Sequence, residues 1–284
     1  MMLAMPVYIE IPVTILVLAA VAFLFGLLLA VAAKKFAVNK DPRIDAIAEN
    51  LAGANCGGCG YSGCGAYAKA IVDGEAEPGL CPVAGKEANR KIAEIMGVEM
   101  KEPVRMRAQV MCSGNHATAS YKYLYRGLAD CHSVSRLGNG PKECSYGCIG
   151  LGSCVSACAF NAIKVENGAA FVEYDRCRAC GMCVTACPQN LIELVPFDSR
   201  YWVACKSKDK GVTVRSHCQV GCIGCGICAK NCPNNAITFV DNIAHIDYAL
   251  CDHCGLCASK CPRKIILDGL ADETDAPESP EVSQ

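Results

Sequence analysis

From Ile11 to Ala33 the chain runs 23 residues without a charge, and Thr14 is the only polar side chain among them. At about 1.5 Å per residue a helix of that length crosses the roughly 30 Å hydrocarbon core of a bilayer. Pro12 falls near its start, where a helix tolerates proline. A cleaved leader is the competing reading, since AVAA at the end of the run resembles a cleavage site. Leaders, however, begin with basic residues and have a shorter apolar stretch. Here Glu10 is the only charge before the run. Lys34, Lys35, Lys40 and Arg43 follow it directly. The positive-inside rule then puts everything after residue 33 in the cytoplasm, as a single-pass protein of the inner (cytoplasmic) membrane. Arg43 to Leu51 shows Ile44, Ile47 and Leu51 at helical spacing. Further on, KVENGAAFVEY (164–174) and TFVDNIAHIDY (238–248) each predict two short strands around a turn, the Asn167-Gly168 pair being a strong hairpin signal. The end of the chain, ADETDAPESPEVSQ, is acidic and contains proline, a composition expected to stay disordered.

Cysteine changes this picture. The chain has 24 in 284 residues, in tight clusters, and clustered thiols in a reducing compartment read as metal ligands rather than disulfides. Other compositional signals are weak. The net charge of −1 argues against a nucleic-acid partner. The chain has no Walker A motif, no C-x-x-C-H haem site and no H-E-x-x-H, and none of its five histidines pairs at a zinc spacing. No substrate-converting site is therefore expected on this chain.

The first cysteine group, in CGGCGYSGC and the later GLCP, is Cys56, Cys59, Cys64 and Cys81. Four thiolates on one loop-and-helix unit meet the ligand demand of a [4Fe–4S] cluster, although zinc also takes four thiolates. Three later runs are more specific. Cys177, Cys180, Cys183, Cys187 with Pro188, then Cys222, Cys225, Cys228, Cys232 with Pro233, then Cys251, Cys254, Cys257, Cys261 with Pro262 all follow C-x2-C-x2-C-x3-C-P, the bacterial ferredoxin spacing.

These runs belong to a longer repeat offset by 74 residues. GCIGLGSCVSACAFNAI from Gly147 and GCIGCGICAKNCPNNAI from Gly221 agree at ten of 17 positions. In two-cluster ferredoxins the fourth cysteine of a run ligates the other cluster. The second repeat then yields the sets Cys222, Cys225, Cys228, Cys261 and Cys232, Cys251, Cys254, Cys257. The first yields Cys158, Cys177, Cys180, Cys183. Its other set is one thiol short, because Leu151 stands where the second repeat has Cys225. A three-iron cluster, an open iron or a substitute thiol would each answer the gap. The expectation adopted is that Cys144 joins Cys148, Cys154 and Cys187. Five [4Fe–4S] clusters follow. Cys112, Cys131, Cys205 and Cys218 remain, as free buried thiols or as the ligands of a sixth cluster. Cys131 and Cys205 are 74 residues apart and so are expected to be equivalent.

The predicted fold class is α+β: a single N-terminal transmembrane helix, a small helical and loop [4Fe–4S] module, and tandem bacterial-type two-cluster ferredoxin domains. The expected divisions are an extracytoplasmic end at 1–10, the transmembrane helix at 11–33, a linker at 34–50 and the membrane-proximal module at 51–100. A connecting segment at 101–143, the first repeat at 144–200, a second connector at 201–217, the second repeat at 218–268 and the acidic tail at 269–284 complete the chain. Segments 34–55 and 85–110, with Gly97 and Pro103 as breaks, are expected to let the cluster modules move.

One anchor helix, then CGGCGYSGC with its distal GLCP, then ferredoxin runs: this order resembles the B subunit of the Rnf complex, in the longer form with two ferredoxin repeats. The resemblance covers nearly the whole chain. It implies an electron-transfer subunit of a membrane-bound ferredoxin:NAD+ oxidoreductase (a translocase moving sodium ions or protons). Its partners would be soluble ferredoxin, the NADH-dehydrogenase subunit and the membrane-embedded subunits. A polyferredoxin of a hydrogenase or another reductase, a reducer of a redox-sensing regulator, and a non-redox sensor or zinc scaffold are the competing roles.

Overall fold

A computed structural model describes residues 7–35, 41–99 and 104–269. Lys40, Pro103, the first six residues and the acidic tail from residue 270 lie outside the described residues. Contacts divide the chain into two compact units, 1–44 and 45–284.

The first unit is built on helix α1 (Val7–Lys35). Within it Val13–Ala32 is long and apolar enough to cross a membrane. Leu16, Leu18, Phe23 and Leu29 are each about 70% exposed and lie on different sides of the helix. A helix that exposes large apolar side chains all round has lipid, not water, as its natural surroundings.

In the second unit, the part of α2 (Pro42–Asn50) from Asp45 on, α3 (Cys64–Val72) and α4 (Gly85–Met96) enclose a small core. Ile47, Tyr67, Ile71 and Ile92 are fully buried there, and Leu51 is nearly so. Helix α4 ends at Gly97, whose left-handed backbone (φ +67°) returns two N–H groups to the last turn.

The rest of the unit consists of short elements. Strand β1 (Met106–Val110) and helix α5 (Cys131–Ser135) come first. Helix α6 (Ser153–Ser156), the strands β2 (Ile163–Glu166) and β3 (Ala169–Val172), helix α7 (Met182–Thr185) and strand β4 (Ile192–Pro196) follow. Strand β5 (Tyr201–Val203) and helix α8 (Gly211–His217) lead to α9 (Ile227–Lys230), β6 (Ile237–Val240), β7 (Ile243–Ile246), α10 (Leu256–Lys260) and β8 (Ile266–Asp268).

Both hairpins expected from the sequence are present, β2 with β3 and β6 with β7. Their turns need left-handed backbone at two residues: Asn167-Gly168 in the first and Asp241-Asn242 in the second. Two further antiparallel pairs close the repeats, β1 with β4 and β5 with β8. The segments expected as connectors thus each supply a strand. The registers show that β1 and β5 are equivalent. Val110 faces Ile192 and Val203 faces Ile266, and those isoleucines are one repeat apart.

The two repeats pack on each other. Tyr174 meets Trp202 edge-on at 6.4 Å. The buried Arg107 guanidinium lies 3.7 Å from the Tyr174 ring, and it donates to the Gln109 side chain and the Ser199 carbonyl. Ser113 N–H donates to the Ala204 carbonyl, joining the ends of β1 and β5.

Candidate metal centres

In the membrane-proximal module, side chains fix the loop that carries the thiols. The Asn55 carbonyl oxygen accepts from the Cys64 N–H at 2.8 Å, tying the loop to the start of α3. The buried Tyr67 hydroxyl donates to the Glu77 carbonyl and accepts from the Leu80 N–H, which holds the GLCP turn beside it. Burial raises the Tyr67 pKa to about 12, with the nearby Cys81 and Cys59 thiols adding to the effect. Cys81 is buried, and Cys59 and Cys64 are among the groups that act on it. These three thiols therefore share one neighbourhood, and Cys56 lies on the same loop.

In the ferredoxin-like part, each run enters its short helix through a glycine in the left-handed region. Gly152, Gly181, Gly226 and Gly255, with φ between +72° and +81°, cap α6, α7, α9 and α10. Each turns the chain so that the cysteine two residues later points back toward its run. Cys158, Cys177, Cys180 and Cys183 line one cavity of about 310 Å³. Cys222, Cys225, Cys228 and Cys261 line another of about 340 Å³. Cys257 is flanked by Cys251 and Cys254. The Cys232 sulfur accepts from the Ala236 N–H.

The cavity left short by Leu151 is completed differently from the expectation. It measures about 400 Å³ and is lined by Cys148, Cys154, Cys187 and Cys131. Cys144 is not there; it lines a separate cavity with Cys112, Cys205 and Cys218. The placement of Cys131 has a local cause. The Ser153 hydroxyl, beside Cys154, accepts from the Cys131 N–H at 2.8 Å and donates to Asp130 at 2.9 Å. Asp130 also caps α5 through the Ser133 N–H. Hydrogen bonds from Ser133 and Ser153 hold the Asp130 carboxyl far below the usual carboxylate range. On the other side of α5, the His132 ring bonds the Ala186 carbonyl, next to Cys187. Leu151 packs against the buried trio of Cys131, Val134 and Ile149.

The expected equivalence of Cys131 with Cys205 is corrected as well. Strand register makes Val110 equivalent to Val203, so Cys112 corresponds to Cys205. Cys131 belongs to extra chain that the first repeat alone carries between Cys112 and Cys144. The sequence held a partial signal for this in V-x-C, which occurs as Val110-Met111-Cys112, Val203-Ala204-Cys205 and Val220-Gly221-Cys222.

The donor set suits iron–sulfur clusters. Among the described residues no three His, Cys, Asp or Glu side chains converge on the space of a single metal ion. Sixteen of the thiols instead line cavities in groups of four, as ligands to a group larger than one ion must. Backbone N–H groups point at several sulfurs: Ala162 at Cys158, Leu191 at Cys187 and Ala108 at Cys177, at 3.3–3.5 Å. Such donors stabilise thiolates and tune cluster potential. Burial, followed by the charge of neighbouring thiols, raises the pKa of Cys154 and Cys183 to about 12 and that of Cys148 to about 11. Without a cation these groups stay protonated at neutral pH, so cluster assembly must displace their protons.

Neighbouring thiol sets are in close succession. The Gly58 loop of the first module packs on Cys180. Cys154 is near Cys183, and the Cys148 N–H donates to the Cys112 sulfur at 3.4 Å. Cys205 in turn lies beside Cys222.

The fold and these thiols define an iron–sulfur protein with ferredoxin-like 4Fe–4S domains. Family models agree: an Fe–S cluster model matches residues 51–83, and 4Fe-4S dicluster domain models match 146–192 and 221–265. The chain is 42% identical to the B subunit of the Na(+)-translocating ferredoxin:NAD(+) oxidoreductase complex of Acetobacterium woodii, over 83% of this chain and 71% of the relative. It is 41% identical to the B subunit of the ion-translocating oxidoreductase complex of Methanosarcina acetivorans, over 84% of this chain and 90% of that one. The B subunit of a proton-translocating ferredoxin:NAD(+) oxidoreductase complex from Clostridium ljungdahlii is 42% identical over 84% of each chain. The chain belongs to the B-subunit family of the ion-translocating (Rnf) oxidoreductase complexes.

Proposed function

We propose that this chain is the membrane-anchored, multi-cluster electron-transfer subunit of an ion-translocating ferredoxin:NAD+ oxidoreductase. The single observation that carries the reading is the succession of four-thiol cavities, each close to the next, in a chain of this family.

Five ligand sets follow: Cys56, Cys59, Cys64, Cys81; Cys158, Cys177, Cys180, Cys183; Cys131, Cys148, Cys154, Cys187; Cys222, Cys225, Cys228, Cys261; and Cys232, Cys251, Cys254, Cys257. The last four sets form two tandem two-cluster ferredoxin domains. When bound, [4Fe–4S] clusters supply one-electron carriers. The chain's own residues supply the thiolates, direct N–H groups at sulfur, and bury or half-bury every ligand but Cys225 and Cys254.

Cys225 and Cys254 are exposed, both in the second repeat. Leu250 and Leu256, on either side of Cys254 in sequence, are 53% and 43% exposed. This end of the protein is the docking place for a soluble electron carrier such as ferredoxin, and the membrane-proximal module is the end nearest the embedded subunits. Lys34 and Lys35, in the last turn of α1, support a cytoplasmic side of the inner membrane for the cluster domains. The coupling ion is a property of partner subunits, because a lone apolar helix offers no ion path. Relatives of equal identity carry sodium in one name and proton in the other.

Anaerobic purification of the tagged full chain from membranes tests the role. The expected result is copurification of an NADH-oxidising subunit and flavin-bearing membrane subunits, with the preparation reduced by both ferredoxin and NADH. Recovery of a hydrogenase in their place contradicts it.

A further inference from the structure

We propose that Cys112, Cys144, Cys205 and Cys218 hold a sixth [4Fe–4S] cluster at the seam between the two repeats, with the buried ammonium of Lys142 as its counter-cation. This rests on the iron–sulfur reading above and adds one site to it.

The four thiols line a single cavity of about 470 Å³. That is no smaller than the cavities of about 310–400 Å³ lined by the ferredoxin-type sets. The position of a β-carbon on Gly114 would lie 3.6 Å from the Cys218 sulfur and 3.7 Å from the Cys112 sulfur, so both thiols face the same small region. Cys112 is treated as the other ligands are, its sulfur accepting a backbone N–H, here from Cys148.

Symmetry supports the grouping. Each repeat contributes the cysteine two residues after its first strand, Cys112 and Cys205. Each also contributes the cysteine four residues before the first cysteine of its GCIG-type run, Cys144 and Cys218. The site is thus made of two equivalent pairs, at the place where the repeats meet through Ser113 and Ala204.

An independent observation points to an anionic occupant. Lys142 lines this cavity and is 2% exposed. Its ammonium donates to the carbonyls of Gly114 and Gly168, and no carboxylate pairs with it among the described residues. Asp209, partly exposed at the same cavity, is bonded to Ser207. An isolated buried ammonium is costly unless a negative group shares its interior. Four half-buried thiols without a negative group would leave that charge uncompensated. Four thiolates and four sulfides around four irons carry net negative charge in either redox state and compensate it. The buried Nδ1 atom of His217, which lines the same cavity and has no partner, is a further polar group left for an occupant to satisfy.

The site completes the succession of thiols. On one side Cys148 reaches Cys112; on the other Cys205 lies beside Cys222. The two repeats would then be linked by a cluster built from both.

Iron, zinc and acid-labile sulfide in the anaerobically purified full chain test the proposal, together with a redox titration followed by electron paramagnetic resonance. Six clusters require about 24 irons and about 24 sulfides per chain, at four of each per cluster. The double variant Cys112→Ser/Cys205→Ser is expected to keep about 20 of each. Lys142→Met is expected to keep the full complement and to move the midpoint of one cluster to more negative potential, because a nearby positive charge favours the added electron. A wild-type content of about 20 irons, with or without one zinc, overturns the site and leaves the five-cluster reading standing. An unchanged set of midpoints in Lys142→Met overturns the counter-cation. Should the double variant fail to fold, the wild-type count and the lysine variant still decide.

Discussion

Gly58 and Cys180 touch so closely that a β-carbon on Gly58 would stand 2.7 Å from the Cys180 carbonyl oxygen. No real side chain fits at that distance, so this glycine is what lets the membrane-proximal module rest on the first ferredoxin-type loop. Any movement between the two must break this contact. Gly58→Val is expected to weaken the packing by about 1–3 kcal/mol, the usual cost of overpacking. Hydrogen exchange at residues 56–64 and 178–183 should accelerate while iron content stays unchanged. Unaltered exchange would show that the contact does not hold the modules together.

Tyr67 has a separate role. Its hydroxyl satisfies the Leu80 N–H and the Glu77 carbonyl inside the small module. Tyr67→Phe removes both half-buried bonds, at a cost of about 0.5–1.5 kcal/mol for each. The expected outcome is faster loss of one cluster to an iron chelator, with the remaining clusters unaffected.

The proposed exchange of Cys131 for Cys144 makes a clean spectroscopic prediction. Cys131→Ser should leave the Cys148, Cys154 and Cys187 set with three thiolates. A three-iron signal in the oxidised protein is the expected readout. Cys144→Ser should leave that set intact.

The same exchange shows what was legible in the chain. The ferredoxin runs, the two hairpins and the apolar helix depend on local spacing, and the residues that specify them are neighbours in sequence. Strand β1 depends on pairing Met106 with Pro196, across ninety residues, and five residues of ordinary alternation do not announce such a partner. Cys131 misled for a related reason. It stands 74 residues before Cys205, the repeat offset, yet it lies in extra chain that only the first repeat has. Spacing counts residues, whereas ligation depends on where hydrogen bonds such as Asp130–Ser153 bring the chain back.

Leu250 and Leu256 test the docking end. Both are largely exposed beside the solvent-facing Cys254. Leu250→Glu/Leu256→Glu should raise the KM for reduced ferredoxin several-fold, because desolvated apolar contacts at an interface become unpaired charge. Iron content and NADH-linked reduction should not change.

Deletion of residues 1–35 should release the chain from the membrane fraction with its iron retained, since α1 shares no part of the thiol sets. Fractionation by ultracentrifugation reads this directly.

The central claim is that grouped thiolates on this chain carry [4Fe–4S] clusters that take up single electrons. The most direct measurement is electron paramagnetic resonance of the anaerobically purified protein before and after dithionite, alongside acid-labile sulfide. Several interacting signals that appear on reduction, with sulfide matching iron, are predicted. Zinc-loaded protein without sulfide or a reducible signal would contradict it.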